Sequence, residues 1–202
     1  MLKYLWDPAN AITMSGILFS SVSLFFAVLG RLELAVAVAL WAVLADHLDG
    51  VVATRTKDRD QSVAKMGKSL DGFGDILYGG VVPAVIVMQV GHASLVGAPT
   101  ATVLLIAAAT RLSYFANFGR SPDGRFLGVP LSYDVPLMAI VFLARPLLPD
   151  ELFVTFTLGI FLALAGLHVA SIRVPSPNTE MYVAISIFAI VASTTLASRG
   201  LN

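Results

Sequence analysis

Apolar residues in this 202-residue chain gather into runs that approach or exceed the length an α-helix needs to cross a bilayer, about 20 residues. Read between polar, Gly and Pro breaks, the runs cover roughly 11–29, 32–54, 69–90, 95–117, 129–147, 151–172 and 179–198. Backbone groups in hydrocarbon find no water, so each run must satisfy its N–H and C=O groups internally, as a helix. With 57% of residues hydrophobic, 13% charged and a mean hydropathy of +0.83, the composition excludes a soluble domain. The expected fold is all-α: a polytopic transmembrane helical bundle of about seven spans. Residues 1–202 are read as one membrane domain, with a short interfacial segment over about 1–10 that sets Tyr4 and Trp6 at headgroup depth. That segment lacks the basic-then-apolar layout of a cleavable leader. The absence of cysteine excludes disulfides and thiolate metal sites, and a formal net charge of zero gives no global attraction to nucleic acid.

Lys and Arg divide unevenly between the two ends of such a bundle. With a cytoplasmic N-terminus, that side receives Lys3, Arg55, Lys57, Arg59, Lys65, Lys68, Arg111, Arg120, Arg125 and Arg173. The other side receives only Arg31, Arg145 and Arg199. The positive-inside rule then predicts this orientation, in the plasma (inner) membrane, and seven spans leave the C-terminus on the far side. Asn10 and Thr13, near the start of the first span, are polar enough to face a cavity or cap that helix, and a simple helix start is the preferred reading.

Four aspartates interrupt the second and third runs. Asp46 and Asp49 are spaced i, i+3, and Asp71 and Asp75 are spaced i, i+4, so each pair projects from one face of its helix. The helices are consecutive, joined by a loop expected over 55–68, and can bring the pairs together at the cytoplasmic end. Clustered carboxylates at a membrane boundary repel one another and are poorly solvated, and bound cations are the usual compensation. Oxygen-only ligation selects hard cations: two Mg²⁺ or Mn²⁺ ions, with Ca²⁺ also compatible. Such a pair of ions grips phosphate. Gly50, Gly67 and Ala53 keep the neighbouring helix faces small, so a bulky ligand can approach. His47 lies between the first two aspartates at a different helical angle and is read as a neighbour; His92 and His168 are assigned no role.

The pattern resembles the signature of the CDP-alcohol phosphotransferase family, D-x-x-D-G-x-x-A-R, a spacer, then G-x-x-x-D-x-x-x-D. Asp46, Asp49, Gly50, Ala53, Gly67, Asp71 and Asp75 match position by position. The arginine position holds Thr54, with Arg55 one residue later, and the spacer is longer than usual. The resemblance implies a six-helix core whose four aspartates hold the two metals around a CDP pyrophosphate, with Asp75 also acting as general base. It further implies a nucleotide bed of Gly50, Ala53, Gly67 and Asp71.

Resemblance to the phosphatidylserine synthase branch extends along the chain. Leu70–Ala84 is similar to that branch's third helix, Arg111-Leu-Ser-Tyr-Phe115-Ala-Asn117 to its Arg-Leu-x-Arg-Phe-Asn segment, Phe126–Pro130 to a Gly-Leu-Pro loop, and Val169–Arg173 to a Val-Ser-x-Ile segment. The branch's second arginine is Tyr114 here. The resemblance implies transfer of a phosphatidyl group from CDP-diacylglycerol to a small polar alcohol, first of all L-serine, with release of CMP. Choline, inositol or glycerol phosphate as acceptor, or a CDP-amino-alcohol donating to diacylglycerol, would use the same site. Arg55, Lys68, Arg111 and Arg120 are candidate contacts to substrate or lipid phosphate. A divalent-cation transporter is the rival from another class, since intramembrane carboxylates also mark ion paths. Against it, only Asp134 offers a polar stepping stone elsewhere in the spans. Membrane lipids are necessary partners, and the apolar spans permit a homodimer.

Overall fold

The computed structural model describes residues 1–56 and 59–202; Lys57, counted above among the cations, lies outside the described residues. A 3₁₀ turn, Leu2–Trp6, leads into α1 (Pro8–Val28), which Asp7 caps by accepting from the Asn10 N–H at 3.0 Å. The chain returns as α2 (Leu32–Arg55) and again as α3 (Gln61–Ile76), which passes through a π-helical turn, Leu77–Val81, into α4 (Val82–Val90). α5 (Gly97–Phe118), α6 (Asp134–Ala144), α7 (Asp150–Val169) and α8 (Thr179–Leu201) complete the bundle. Two short strands, β1 (Phe126–Leu127) and β2 (Arg173–Val174), pair antiparallel and tie the loop after α5 to the loop after α7.

Six rods are long and apolar enough to cross a membrane: Pro8–Val28, Leu32–Arg55, Gln61–Val90, Gly97–Phe118, Asp150–Val169 and Thr179–Leu201. The protein is an all-α integral membrane protein. The remaining run expected, 129–147, contains only 11 α-helical residues, extended by 3₁₀ turns at Leu131–Tyr133 and Arg145–Leu147. Its first residues, Val129 and Pro130, belong to a loop bonded to α7. The loop expected over 55–68 is also shorter than its polarity suggested. The Asp60 carboxylate accepts from the Ser62 and Val63 amides and starts α3 at Gln61, well before the apolar run begins. Gly67 and Lys68 therefore sit on the same helix as Asp71 and Asp75.

Small and hydroxyl side chains let the rods approach closely, as expected where lipid gives helices no hydrophobic drive to associate. A Cβ on Gly16 of α1 would meet Ala45 of α2, and Ser23 donates across the same interface to the Ala35 carbonyl at 2.7 Å. Trp41 on α2 donates to Ser193 on α8 at 2.9 Å, and Ser193 donates to the Ala37 carbonyl. The core is filled by Leu40, Val43, Ile86, Leu104, Met138, Phe142 and Phe161, all fully buried. At one end of the bundle Asn10 donates to the Tyr4 carbonyl, so the N-terminal segment sits beside the aspartates. At the other, Arg31 donates to the Gly200 carbonyl and Arg199 to the Leu143 carbonyl. The two chain ends thus lie at opposite ends, as an odd number of traverses requires.

One buried hydrogen-bonded pair organises the α6–α7 corner. His168 Nδ1 stands 2.8 Å from the Val129 carbonyl, which can only accept, so that nitrogen carries a proton. Nε2 faces both oxygens of Asp134 at 3.0 and 3.1 Å, and both side chains are fully buried. Gly128 makes the approach possible: at φ +72° it packs against the His168 carbonyl where any Cβ would clash. Removing one partner strands the other in an apolar corner. His168→Ala should lower unfolding free energy by about 3–5 kcal/mol in detergent denaturation, whereas His168→Leu combined with Asp134→Leu should recover much of that loss.

Candidate active site

The four aspartates converge where α2 and α3 cross. Carboxylate oxygens of Asp46, Asp49 and Asp71 all lie within 4.8 Å of one another. Asp75, one turn beyond Asp71, joins them through Tyr78, whose hydroxyl donates to Asp75 at 3.0 Å. Among the described residues no Lys or Arg forms an ion pair with any of the four. Thr13 donates to Asp49, which supplies a hydrogen bond and no charge. An oxygen-only donor set with no protein cation to balance it fits hard divalent cations.

Two cavities meet at this cluster. The first, about 220 Å³, is bounded by Asp46, Asp49, Asp71 and Asp75, and by Arg111, Arg120, Phe126 and the Pro130–Tyr133 turn. The second, about 210 Å³, runs between α1, α2 and α3 and is lined by Asn10, Thr13, Asp49, Gly50, Ala53, Arg59, Gly67, Lys68 and Asp71. Asp49, Gly50 and Asp71 border both, so they form the wall between the chambers. Asp75 opens only into the first.

The expected nucleotide bed, Gly50, Ala53, Gly67 and Asp71, lies together along the second chamber. Lys68 is at its rim. Arg111 and Arg120 both line the first chamber together with Phe126. The Arg111 guanidinium sits 5.9 Å from the Phe115 and Phe126 ring centroids, and Arg120 stacks over Phe126 at 4.7 Å. Arg111 is 7% exposed, and its Nε finds no hydrogen-bond partner among the described residues. A desolvated guanidinium with an unused donor is prepared to receive an anion. Arg55 is exposed and borders neither chamber. It follows Ala53 by two residues, about 200° around α2, and so faces away.

Several side chains at the site are not among the site residues expected from the sequence. Asn10 and Thr13, for which a helix start is preferred over a cavity face, project into the second chamber; the cap itself is Asp7. Their spacing of three residues was the available signal, since it sets both on one face of α1. Arg59 enters the same chamber from the loop before α3. Tyr78 is buried and brought against Asp75 by the π turn, which widens the helix where Gly79 packs on Leu131 and Gly80 on Ala108. A Tyr three residues after an aspartate, followed by two glycines, was the only hint. His47 borders the first chamber and packs edge-on against Tyr182 at 5.0 Å, as a neighbour of the cluster.

An apolar bundle with a carboxylate cluster between two chambers defines a membrane-embedded enzyme site. Residues 6–171 match the CDP-alcohol phosphatidyltransferase family, and the chain belongs to that family. It is therefore a transferase of phospholipid biosynthesis, in a family that uses a CDP-alcohol donor, an alcohol acceptor and divalent cations. Two curated relatives, from Helicobacter pylori strains J99 and 26695, carry the name CDP-diacylglycerol–serine O-phosphatidyltransferase. Each is 26% identical to this chain, over 193 and 197 residues respectively, covering 89% of it and 78% of the relative.

Mn²⁺ titration followed by electron paramagnetic resonance should detect binding to the purified protein. Asp71→Asn should weaken it by about tenfold or more, the loss of one charged ligand, while Asp123→Asn in the loop after α5 leaves it unchanged.

Proposed function

We propose that this enzyme transfers the phosphatidyl group of CDP-diacylglycerol to L-serine, releasing CMP, with Asp46, Asp49, Asp71 and Asp75 as metal ligands and Asp75 also as general base. The observation that carries this reading is the shared wall: Asp49, Gly50 and Asp71 separate a chamber floored by small residues from a chamber holding Asp75 and two arginines. The cytidine nucleotide occupies the first-named of these, against Gly50, Ala53 and Gly67, and the acceptor occupies the other.

Divalent cations, Mg²⁺ or Mn²⁺, held by these carboxylates supply positive charge to the pyrophosphate and to the departing CMP. The acceptor hydroxyl forms a new P–O bond at the lipid-bearing phosphorus as the bond to the bridging oxygen breaks, and CMP leaves with that oxygen. Asp75 takes the hydroxyl proton, and the Tyr78 hydroxyl bonded to it fixes the carboxylate's direction. Arg111 and Arg120 hold the acceptor by an anionic group. Two guanidiniums without carboxylate partners among the described residues favour an acceptor bearing a negative charge, such as an amino-acid carboxylate, and oppose a cationic one such as choline. The uneven distribution of Lys and Arg supports a cytoplasmic aspartate end, where serine and CMP are soluble.

The enzyme, supplied with Mg²⁺ or Mn²⁺ and CDP-diacylglycerol, should release CMP with L-serine and far less with choline. Asp75→Asn should abolish turnover while leaving substantial CDP-lipid binding. Equal rates with serine, inositol, glycerol 3-phosphate and choline would overturn the acceptor assignment. Turnover only from a soluble CDP-amino-alcohol and diacylglycerol would reverse donor and acceptor.

A further inference from the structure

The second chamber has an unusual outer wall. Arg59 reaches back across the start of α1, donating from Nη2 to Asp7 at 2.7 Å and to Asn10 Oδ1 at 2.6 Å, and from Nε to Asp7 at 3.2 Å. Both members of the ion pair are mostly enclosed, at 15% and 10% side-chain exposure. Asn10 is fully buried, and its amide is spent on the Tyr4 and Val63 carbonyls. Burial pushes the Asp7 carboxyl up, but the Asn10 N–H and the Arg59 guanidinium outweigh it and hold the group below the usual carboxylate range. The latch is therefore ionised at neutral pH.

Its position along the chamber is set by helical turns. Thr13, which bonds Asp49, stands one turn beyond Asn10 on α1, and Asp71 stands one turn beyond Gly67 on α3. Gly67 lies against both Asn10 and Arg59: a Cβ there would come within 2.9 Å of the guanidinium. The Asp7–Arg59–Asn10 cluster is thus about one turn, or ~5.4 Å, from the carboxylates, toward the chain start. The walls of the chamber include Gly50, Ala53, Ala64 and Gly67, small residues that keep it open, with the exposed Lys68 at its rim. Phosphates drawn to the carboxylate level leave the nucleoside at the Arg59 level. Nη1 of Arg59 makes no hydrogen bond with the described residues.

We propose that Arg59, latched by Asp7, reads the nucleoside end of the donor by donating to the acceptor edge of its pyrimidine ring. This rests on the nucleotide occupying the second chamber. A guanidinium only donates, so it suits the adjacent O2 and N3 acceptors of cytosine and meets the N3–H of uracil with a mismatched donor. The arginine absent from position 54, and turned outward at position 55, is in effect supplied from the next loop.

The test is nucleotide binding to the full-length protein in detergent by calorimetry, with Mg²⁺ present and CDP, UDP and inorganic pyrophosphate as probes. Arg59→Gln should weaken CDP by about tenfold, leave pyrophosphate within about twofold and erase the preference for CDP over UDP. Asp7→Asn, which leaves the guanidinium present but unlatched, should give a smaller loss of the same kind, and Arg55→Gln none. Unchanged CDP affinity in Arg59→Gln would overturn the proposal, as would an equal loss of pyrophosphate, the signature of a phosphate contact or a collapsed site. Wild-type protein that binds pyrophosphate but not CDP would instead overturn the nucleotide assignment on which the proposal rests.

Discussion

Mutual repulsion among four carboxylates at the end of an apolar bundle is the constraint around which the rest is arranged. Asp49 accepts from Thr13 and Asp75 from Tyr78, both neutral hydroxyls, and among the described residues no protein cation pairs with any of the four aspartates. Arg59 is paired to Asp7, while Arg111 and Arg120 rest against the rings of Phe115 and Phe126 with no carboxylate partner among the described residues. Cation and anion are kept near each other but unpaired, which leaves both able to meet a ligand of opposite charge. A fully neutralised cluster would give a more comfortable fold and a poorer site.

The scaffold holds this arrangement against its own repulsion by rigid means. α1 and α2 pack through small side chains with no room to slide, and the π turn fixes Tyr78 beside Asp75. The α6–α7 corner is locked by His168 and Asp134, and the Pro130–Tyr133 turn that bounds the first chamber follows directly from it. The strand pair β1–β2 then holds Phe126, the ring shared by Arg111 and Arg120, over the opening.

Much of this was legible in the sequence because hydropathy and helical spacing are local properties. The i, i+3 and i, i+4 spacing fixed the faces of the aspartates, and the small residues between them anticipated the second chamber. What escaped was set by contacts between elements. Arg59 lies in a polar loop whose composition says only that it is solvated; its role depends on Asp7, 52 residues away. His168 and Asp134 were unremarkable singly and become a pair only when α6 and α7 pack. Arg55 misled because it stood next to the expected position in sequence, while one residue on a helix turns a side chain by about 100°. The polar beginning of α3 was hidden by a hydropathy reading that recognises a helix only where it is apolar.

That last feature has a spatial consequence. The rod Gln61–Val90 has 30 residues and, at 1.5 Å each, measures about 45 Å, whereas the hydrocarbon slab is about 30 Å thick. Its far end is the apolar Val82–Val90, so the surplus projects at the polar end, which carries Lys65 and Lys68. The polar first turns of α3 therefore belong at or beyond the edge of the hydrocarbon, with any remaining surplus length taken up by tilt. On the proposed assignment, a water-soluble nucleotide product would leave from a slot above the acyl chains while the lipid product departs sideways below it, and neither would have to cross the other's solvent.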